Sequence, residues 1–387
     1  MDATEAATIL DVNSTCLKHF NVIDFFNNNT IEGYLCHQSD HRYGALVIFK
    51  VNGIETTPQL IYATPKLHYP FDRDENAVGG RRFKFPKFVK VNCYTKIDGT
   101  NICAYSYADF AGKRYVTFKT RLTAILQESE FGPFRSMWLE LLDKYPCLKE
   151  PECVKSGEYS LSFEMYGSRN AHLIRYTEML ETRLLFGVKQ KTAAVQIPEH
   201  FKLDIGMTAE ASCLSGDDLV AFYNDMREKA HQMNVSTEDD MIIGTEGYVM
   251  YVLTEEGTWL LYKAKPEDVE AIHWSNGVLP MDVILPTCWN ALESEPKLTV
   301  EIVEQLLAEE FTPQQVMAAK PRIEKAVLLV NERIAWREKV RNAYLDTGLA
   351  NTEYNKRTLM RAISPSFKKS QMKAVFTALV DMGILSR

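Results

Sequence analysis

The chain has 387 residues, of which 46% are hydrophobic and 25% are charged, and its formal net charge at pH 7 is −7. This length allows two or three domains with a sizeable core, and the composition is that of an ordinary soluble globular protein. The negative charge argues against a protein that coats nucleic acid indiscriminately, although it leaves room for a local basic groove. No apolar run approaches the roughly 20 residues of a membrane span, and the N-terminus lacks the basic and apolar segments of a secretory signal. We therefore expect a cytoplasmic protein with no membrane partner.

The cysteines are scattered along the chain and form no Cys-x-x-Cys pair. This spacing predicts reduced thiols rather than a disulfide framework or a zinc ribbon. One local cluster, Cys36, His37 and His41, contains a His-x3-His spacing that can ligate zinc. No second ligand pair with suitable spacing follows, so we favour an interpretation without metal and predict no function for this cluster.

Up to about residue 290 the sequence is dominated by short alternating strands, which predict an α+β body. Segment 44–63 predicts a hairpin with Asn52-Gly53 at its turn. Helices are predicted at 132–145 and 215–233, where apolar residues recur at helical spacing. Further strands are predicted at 113–119, 158–167, 183–189, 246–253 and 258–264.

After about residue 295 the strand signal almost disappears, and helices are predicted at 299–311, 312–348 and 369–385. The stretch 291–299 has the composition of a linker. The sequence thus predicts three parts, which are an N-terminal α/β extension packed on the core (1–75), an α+β core (76–290) and an all-helical C-terminal domain (296–387).

The stretch CYTKIDGTN, residues 93–101, allows two interpretations of Lys96. Both flanks favour β-strand and Asp98-Gly99 is a good tight-turn pair, so the first interpretation is a hairpin with a solvated lysine. The second makes Lys96 a nucleophile, which requires desolvation or neighbouring positive charge. Lys263 and Lys265, at i and i+2 on a predicted strand, share one face and suit an α-phosphate under attack. A solvent-facing edge strand is the alternative for that pair.

Other positions have the chemistry of a nucleotide site. Glu246 precedes a glycine at a strand entry, where a carboxylate suits hydrated Mg²⁺ beside a phosphate. Glu164 ends a strand and could accept a ribose hydroxyl, while Lys119 and Arg121 could contact sugar or phosphate. Phe186 lies between apolar neighbours, so it could stack on a purine, and a core position is the alternative.

Three basic stretches, 81–90, 113–121 and 355–373, could line a groove for nucleic acid. The first interleaves cations with phenylalanines, which suits phosphate contact plus base stacking. A half-buried strand with a charged outer face explains the same pattern. The RNA-binding candidates are Arg81, Arg82, Lys84, Lys87, Lys356, Arg357, Lys368 and Lys369.

The order of these pieces resembles that in the covalent nucleotidyltransferases, which include ATP-dependent RNA ligases, DNA ligases and mRNA capping enzymes. KIDG resembles their first motif, FEMYG the third, LLFGV the adjoining aromatic motif, EGYV the fourth and LYKAK the fifth. The resemblance covers about residues 80–270 and implies an adenylyltransferase core at 76–290. Such a core is an ATP-grasp-like ligase fold of antiparallel sheets with flanking helices. It also places Asp98 and Gly99 in the nucleotide site as part of the first motif.

For the phosphate chemistry, the resemblance implies that Lys96 attacks the α-phosphate of ATP and carries AMP as a phosphoramidate. Lys263 and Lys265 would bind the α-phosphate and favour the neutral form of Lys96. Glu246 would hold the metal ion, Mg²⁺ or Mn²⁺.

For the nucleoside, the resemblance implies that Glu164 binds the ribose and Phe186 stacks on adenine. Arg121 would contact the ribose or an incoming nucleic-acid phosphate, with Lys119 as the competing residue for that role. Many RNA ligases have glutamate immediately before the nucleophile, and this chain has Thr95 there. The usual adenine contact is therefore changed, and GTP remains open as the donor.

The C-terminal prediction selects among members of this superfamily. DNA ligases and capping enzymes follow the core with a β-rich OB domain, whereas helices are predicted here, as in several groups of RNA ligases. The lead of 95 residues before Lys96 resembles that of phage RNA ligases that repair broken tRNA. We therefore predict a monomeric ATP-dependent RNA ligase that joins RNA 5′-phosphate and 3′-hydroxyl ends in RNA repair, with tRNA among its candidate substrates. The alternatives are a DNA ligase, a capping guanylyltransferase, or a non-catalytic RNA-binding protein on the same fold.

Overall fold

The computed structural model describes residues 1–387 except 39, 74–80, 129–132, 171, 238–240, 267–268, 270–278, 280, 295–296, 309–310, 312, 350–354, 383 and 386–387. The chain divides into two compact units, Met1–Ile272 and His273–Arg387. Among the described helices, none is both long enough and apolar enough to cross a membrane. The start predicted for a helix at residue 132 lies outside the described residues.

The first unit begins with a helix and a small antiparallel sheet. Helix α1 (Ala3–Leu10) has Asp2 as its N-cap residue, and Asp2 forms a capping box with Glu5. The sheet has the order β1 (Leu17–Asp24), β2 (Asn29–Cys36), β3 (Leu46–Val51) and β4 (Ile54–Ile61). Strands β3 and β4 turn at Asn52 and Gly53, whose φ angles are 53° and 77°. Two successive positive φ angles fit a two-residue hairpin turn, and the predicted hairpin is confirmed.

Two short ribbons flank the main sheet of this unit. The first pairs β5 (Phe71–Arg73) with β6 (Arg81–Phe83), and the second pairs β14 (Val235–Ser236) with β15 (Ile242–Ile243). The main sheet contains β7 (Phe88–Thr95), β8 (Thr100–Ala108), β9 (Arg114–Lys119), β10 (Tyr159–Tyr166), β11 (Glu181–Lys189), β12 (Val195–Gln196), β13 (Ala211–Leu214), β16 (Tyr248–Thr254) and β17 (Trp259–Ala264). Their order is β13-β7-β16-β17-β12-β11-β10-β8-β9, and neighbouring strands pair antiparallel.

The main sheet consists of two half-sheets. The first half-sheet consists of β13, β7, β16 and β17, and the second consists of β12, β11, β10, β8 and β9. The two are joined where Val195 of β12 pairs with Trp259 of β17. One buried cluster contains Tyr94 and Tyr251 of the first half-sheet together with Phe186 of the second. The two half-sheets therefore face each other across this cluster, and we call these facing surfaces the inner faces.

Helices cover the outer faces. Trp138 of α2 (Phe134–Lys144) packs on Phe163 of the second half-sheet, with α3 (Glu152–Lys155) beside it. Helix α4 (Leu219–Met233) places Tyr223 in a cluster with Cys93 and Met250 of the first half-sheet. The small N-terminal sheet shares a third cluster with Tyr105 and Tyr107 of β8. The two helix clusters fix the outer faces, and the inner faces carry the polar residues described below.

The second unit is helical over its described residues. Its helices are α5 (Met281–Ser294), α6 (Val300–Ala308), α7 (Pro313–Asp346), α8 (Lys356–Ile363) and α9 (Met372–Asp381). Ile284 and Cys288 of α5 are buried with Val303 of α6 and Ile323 of α7. Helix α5 therefore belongs to the second unit, although residues 281–290 were expected in the α+β core, and it extends over 291–294, where a linker was expected. The α+β class, with antiparallel sheets and flanking helices followed by a helical region, is confirmed.

Candidate active site

The segment 96–99 links the two half-sheets. Strand β7 pairs with β13 and β16, whereas β8 pairs with β9 and β10, so β7 and β8 are not neighbours. The hairpin interpretation of this segment is therefore wrong. Lys96 N donates to Gly247 O at 2.8 Å, which continues the pairing of β7 with β16. Strand alternation then places Lys96 on the inner face, on the same side as Tyr94.

Two glycines of the candidate motifs lie at close approaches of backbone to backbone. A Cβ atom on Gly99 would lie 2.2 Å from Met165 O of β10. Gly247 has a φ of +128°, and a Cβ atom there would lie 2.4 Å from Ala264 O of β17. Glycine is required at both positions because a side chain would separate the strands that carry the site. Gly99 thus contributes packing beside β10.

The centre of the site is an ion-paired triad. Lys96 Nζ donates to Oε2 of Glu246, and Lys265 Nζ lies 2.7 Å from Oε1 of the same carboxylate. Burial opposes the ionisation of Glu246, which is 6% exposed, but the charges and hydrogen bonds of Lys265 and Lys96 outweigh it. The pKa of Glu246 therefore lies well below its ordinary value, and the carboxylate is ionised. Attack by Lys96 on phosphorus requires its pair with Glu246 to break.

The second half-sheet contributes an acid and a guanidinium to the same place. Glu164 on β10 pairs in register with Asn101 on β8, whose Nδ2 lies 3.4 Å from Glu164 Oε2. Burial raises the pKa of Glu164 to about 7, although the positive charges of Lys96 and Arg121 act in the opposite direction. The Nε of Arg121 is buried and has no hydrogen-bond partner within the described residues. Glu164 is thus close enough to both cations to respond to their charges.

The Lys-x-Lys pair also faces inward. Lys263 is 9% exposed, and its Nζ lies 4.5 Å from the ring centroid of Tyr69. The side chain of Lys265 is 13% exposed. The solvent-facing edge strand is therefore the wrong interpretation. Helix α4 fixes the backbone of this pair, because Tyr223 Oη donates to Lys263 O at 3.3 Å and Arg227 Nε donates to Lys265 O at 2.6 Å.

Lys119 and Thr95, two of the candidate nucleotide contacts, have other partners. Lys119 is fully buried, and its Nζ donates to the backbone carbonyls of Gly44 and Arg121 at 3.1 and 2.8 Å, so it braces the turn that carries Arg121. The Thr95 hydroxyl donates to Glu210, and strand alternation turns it away from the inner face.

Phe186 also differs from the role that the resemblance implied. Its side chain is 3% exposed, and its ring centroid lies 6.3 Å from that of Tyr251 within the cluster between the half-sheets. The structure therefore places Phe186 in the core, which is the alternative that its apolar neighbours favoured, rather than on an open stacking surface.

Asp98 binds protein groups rather than facing the inner cleft. Its Oδ2 accepts hydrogen bonds from Leu173 N and Ile174 N at 2.6 and 2.8 Å, and its own N donates to Tyr176 Oη at 2.8 Å. No local spacing in the sequence points to Tyr176, because it lies far from Asp98 in the chain. Asn101 lies beside Glu164 through the pairing of β8 with β10, which the sequence does not reveal either.

Comparison with known proteins gives similarities of structure only. No protein-family model matches the chain, and no curated protein sequence matches it. An archaeal ATP-dependent RNA ligase, form 2, has 12% identity and a TM-score of 0.47 over 88% of this chain and 82% of that one. The RNA ligase of Naegleria gruberi with PPi has 13% identity and a TM-score of 0.33 over 48% and 52%.

A further similar structure, from Aquifex aeolicus and provisionally assigned as an ATP-dependent DNA ligase, has 12% identity and a TM-score of 0.41 over 96% and 78%. All three are nucleic-acid ligases by name, the class of enzyme that the motif order of this sequence resembles. Identities and TM-scores this low transfer neither a residue role nor a substrate. We therefore assign roles from the geometry of the site.

The basic stretch 81–90 does not present its aromatic rings for stacking. Phe83 and Phe85 pack on Tyr223 of α4, with ring centroids 5.4 and 6.1 Å apart. Lys84 forms an ion pair with Asp72. The remaining cations of this stretch are Arg81, whose guanidinium lies 5.2 Å from the ring centroid of Phe71, the exposed Arg82 and Lys87, and the half-buried Lys90. The phenylalanines of this stretch therefore line a packed face rather than an open stacking surface, and RNA contact by its cations stays a prediction.

The four candidate RNA-binding residues of the second unit are at its surface. Lys356, Arg357, Lys368 and Lys369 are exposed, and Lys356 Nζ lies 4.0 Å from the ring centroid of Phe376. These four residues, which we call the helical basic surface, remain candidates for contact with a phosphate backbone.

The described residues include no group of three His, Cys, Asp or Glu side chains that could hold a metal ion alone. The cluster of Cys36, His37 and His41 is no exception, and burial lowers the pKa of His37 to about 4 and raises that of the Cys36 thiol to about 11. A single buried carboxylate such as Glu246 fits Mg²⁺, which keeps several waters and shares its other ligands with substrate phosphates.

Proposed function

We propose that this chain is an ATP-dependent RNA ligase that works through a lysyl-AMP intermediate. The observation that carries the proposal is the triad in which Lys96 and Lys265 share the buried carboxylate of Glu246. Glu164 and Arg121 reach the same place from the second half-sheet. An amine nucleophile surrounded by further cations and two acids suits attack on a phosphate whose negative charge grows in the transition state.

In the first step the lone pair of Lys96 Nζ attacks the α-phosphorus of ATP. A nitrogen–phosphorus bond forms, and the bond from the α-phosphorus to the oxygen bridging the β-phosphorus breaks, so pyrophosphate leaves. The nitrogen, which begins as the ammonium paired with Glu246, gives up two protons in total to solvent and pyrophosphate. Lys265 and Lys263 would hold the α-phosphate oxygens in line for this displacement.

In the second step an oxygen of an RNA 5′-phosphate attacks the same phosphorus. The nitrogen–phosphorus bond breaks, Lys96 takes back its protons, and a 5′–5′ pyrophosphate linkage forms. In the third step an RNA 3′-hydroxyl loses its proton and attacks the phosphorus of the RNA end. A phosphodiester bond forms, and AMP leaves.

The remaining residues would orient the substrates. Glu164 would accept a ribose hydroxyl, and Arg121 would offer its unpartnered Nε to the ribose or to the incoming phosphate. Glu246 would hold Mg²⁺ or Mn²⁺, which neutralises charge on the phosphoryl oxygens when it is bound.

The second unit supports RNA as the acceptor. Its described secondary structure is helical, and the β-rich domain that would favour a DNA ligase or a capping guanylyltransferase is not seen in that part of the chain. We propose that the helical basic surface contacts the backbone of an RNA with 5′-phosphate and 3′-hydroxyl ends, tRNA among them, for repair.

The test of the chemistry is incubation with ATP labelled at the α-phosphate and Mg²⁺, followed by a denaturing gel. We expect a labelled band for the parent and none for Lys96→Ala. Lys113→Ala is the matched control, because Lys113 is an exposed lysine in the turn after β8. Absence of a band in the parent, with labelled GTP also tested, would exclude a lysyl-nucleotide intermediate.

The acceptor is tested with 5′-phosphorylated RNA and DNA strands of one sequence. A ligase for RNA joins or adenylates the RNA strand faster than the DNA strand, and the reverse result would favour a DNA ligase. RNA binding that weakens with salt, without any covalent adduct, would favour a non-catalytic RNA-binding protein.

A further inference from the structure

One short loop between β10 and β11, residues 173–176, binds the segment that carries Lys96. Leu173 N and Ile174 N donate to the carboxylate of Asp98, and Tyr176 Oη accepts from Asp98 N at 2.8 Å. Two residues earlier, Lys96 N is held by Gly247 O at 2.8 Å. The backbone of the nucleophile is thus fixed by a hydrogen bond on each side.

The same loop binds the segment that leads to Glu246. Ile242 N donates to Leu173 O at 2.9 Å, and Arg175 N donates to Ile242 O at 2.8 Å. Ile242 lies four residues before Glu246, and Ile243, Gly244 and Thr245 lie between them. The loop therefore connects the nucleophile and its partner carboxylate independently of the β7–β16 pairing.

A third connection runs to the segment after Lys265. Ile174 and Ile242 form a buried cluster with Val269, and their exposures are 1%, 1% and 0%. Val269 lies four residues after Lys265. The segments next to Lys96, Glu246 and Lys265 therefore all contact this loop or Ile242, which the loop binds.

We propose that Tyr176 is a positioning residue for the transfer of AMP, acting through the peptide of Asp98 to hold Lys96 in line. The proposal rests on the proposed function. The ring of Tyr176 is itself fixed, because it packs edge-to-face on Tyr166 with centroids 4.8 Å apart. Its hydroxyl is thus a preorganised acceptor for an N–H group that would otherwise lose its partner in a part-buried place.

The test is the Tyr176→Phe variant in single-turnover formation of lysyl-AMP. The substitution keeps the ring packing and removes the acceptor, so we expect the rate constant at saturating ATP to fall about ten-fold, since small misplacements of reacting groups are costly. The ATP concentration for half-maximal rate should change less than about two-fold, and the final fraction of adenylated protein should match the parent.

Tyr166→Phe is the matched control, because it makes the same chemical change on the neighbouring ring. Within the described residues, the Tyr166 hydroxyl does not take part in the hydrogen bonds to Asp98. We expect it to leave the rate constant near that of the parent.

Four outcomes separate the possibilities. A lower rate constant for Tyr176→Phe alone supports the proposal. An unchanged rate constant with a lower final fraction, or an equal slowing by Tyr166→Phe, overturns it in favour of a general role in stability. A parent that forms no lysyl-AMP overturns the proposed function and the positioning role with it, whereas an active parent with an equally active Tyr176→Phe overturns the positioning role alone.

Discussion

The ionisation of Glu164 is predicted to lower the free energy of unfolding as pH rises. Its side chain is half-buried on the inner face of β10, and burial raises its pKa from the ordinary value of 4.5 to about 7. The folded state therefore favours the protonated form. This contribution to stability is complete below pH 4.5 and is lost as pH rises through about 7.

The size of the effect follows from the two pKa values. The difference between about 7 and 4.5, at about 1.4 kcal/mol for each pKa unit, gives a loss of about 3 kcal/mol by pH 8 to 9. Glu164→Gln replaces the acid by an uncharged group of the same shape. The variant should therefore match the parent near pH 4.5 and exceed its free energy of unfolding by about 3 kcal/mol in alkaline solution.

The assay is urea unfolding of both proteins at intervals from pH 4.5 to 9, with the difference between them plotted against pH. The second unit contributes equally to both proteins, so its contribution cancels in the difference. Glu140→Gln is the control, because Glu140 is exposed and pairs with Arg169, and its difference from the parent should stay small and flat above pH 6. If the free energies of unfolding of Glu164→Gln and the parent change in the same way with pH, the raised pKa of Glu164 is refuted.

Other substitutions test the rest of the site. Glu246→Gln leaves two ammonium groups without their shared carboxylate and should lower the free energy of unfolding by about 3 kcal/mol. Adding Lys265→Met should restore part of the lost free energy. If the effects of the two substitutions in urea unfolding simply add, the pairing is contradicted. Gly99→Ala places a Cβ atom 2.2 Å from a carbonyl oxygen and should cost more than about 2 kcal/mol, whereas an unchanged melting temperature would show that the strands can move apart. Thr95→Val should keep the rate of lysyl-AMP formation within about two-fold of the parent, since the hydroxyl binds Glu210 and does not lie on the inner face. A ten-fold lower rate would indicate that Thr95 contacts the nucleotide after all.

Local sequence was sufficient where neighbours in the chain are also neighbours in space. The turn at Asn52-Gly53 was predictable because positive φ angles at two successive residues are a local demand. Asp98-Gly99 has the same local chemistry and forms no hairpin, because the partner of β7 is β16, which lies about 150 residues further along the chain. Its glycine is required by the approach of Met165 O, which no local pattern reveals.

The errors in the candidate site have the same origin. The sequence made the rings of Phe83 and Phe85 candidates for base stacking. In the structure they pack on Tyr223 of α4, which is distant in sequence. Helix α5 carries apolar residues at helical spacing, such as Ile284 and Cys288, but that spacing does not say which unit they pack in; in the structure both are buried in the cluster of the helical unit. The triad residues were found because their chemistry, rather than their packing, distinguishes them in the sequence.

The site has the opposite sign of charge to the chain that carries it. The chain has a net charge of −7, whereas four cations, Lys96, Arg121, Lys263 and Lys265, surround the inner face. Against them stand the ionised Glu246 and a second acid, Glu164, whose pKa is about 7, so the cations outnumber these two acids. Such a concentration of charge within a low-dielectric interior is costly without an anion, and a triphosphate would offset it. The residues that make the site competent for phosphoryl transfer should therefore also be those whose charges the folded protein tolerates least in the absence of nucleotide.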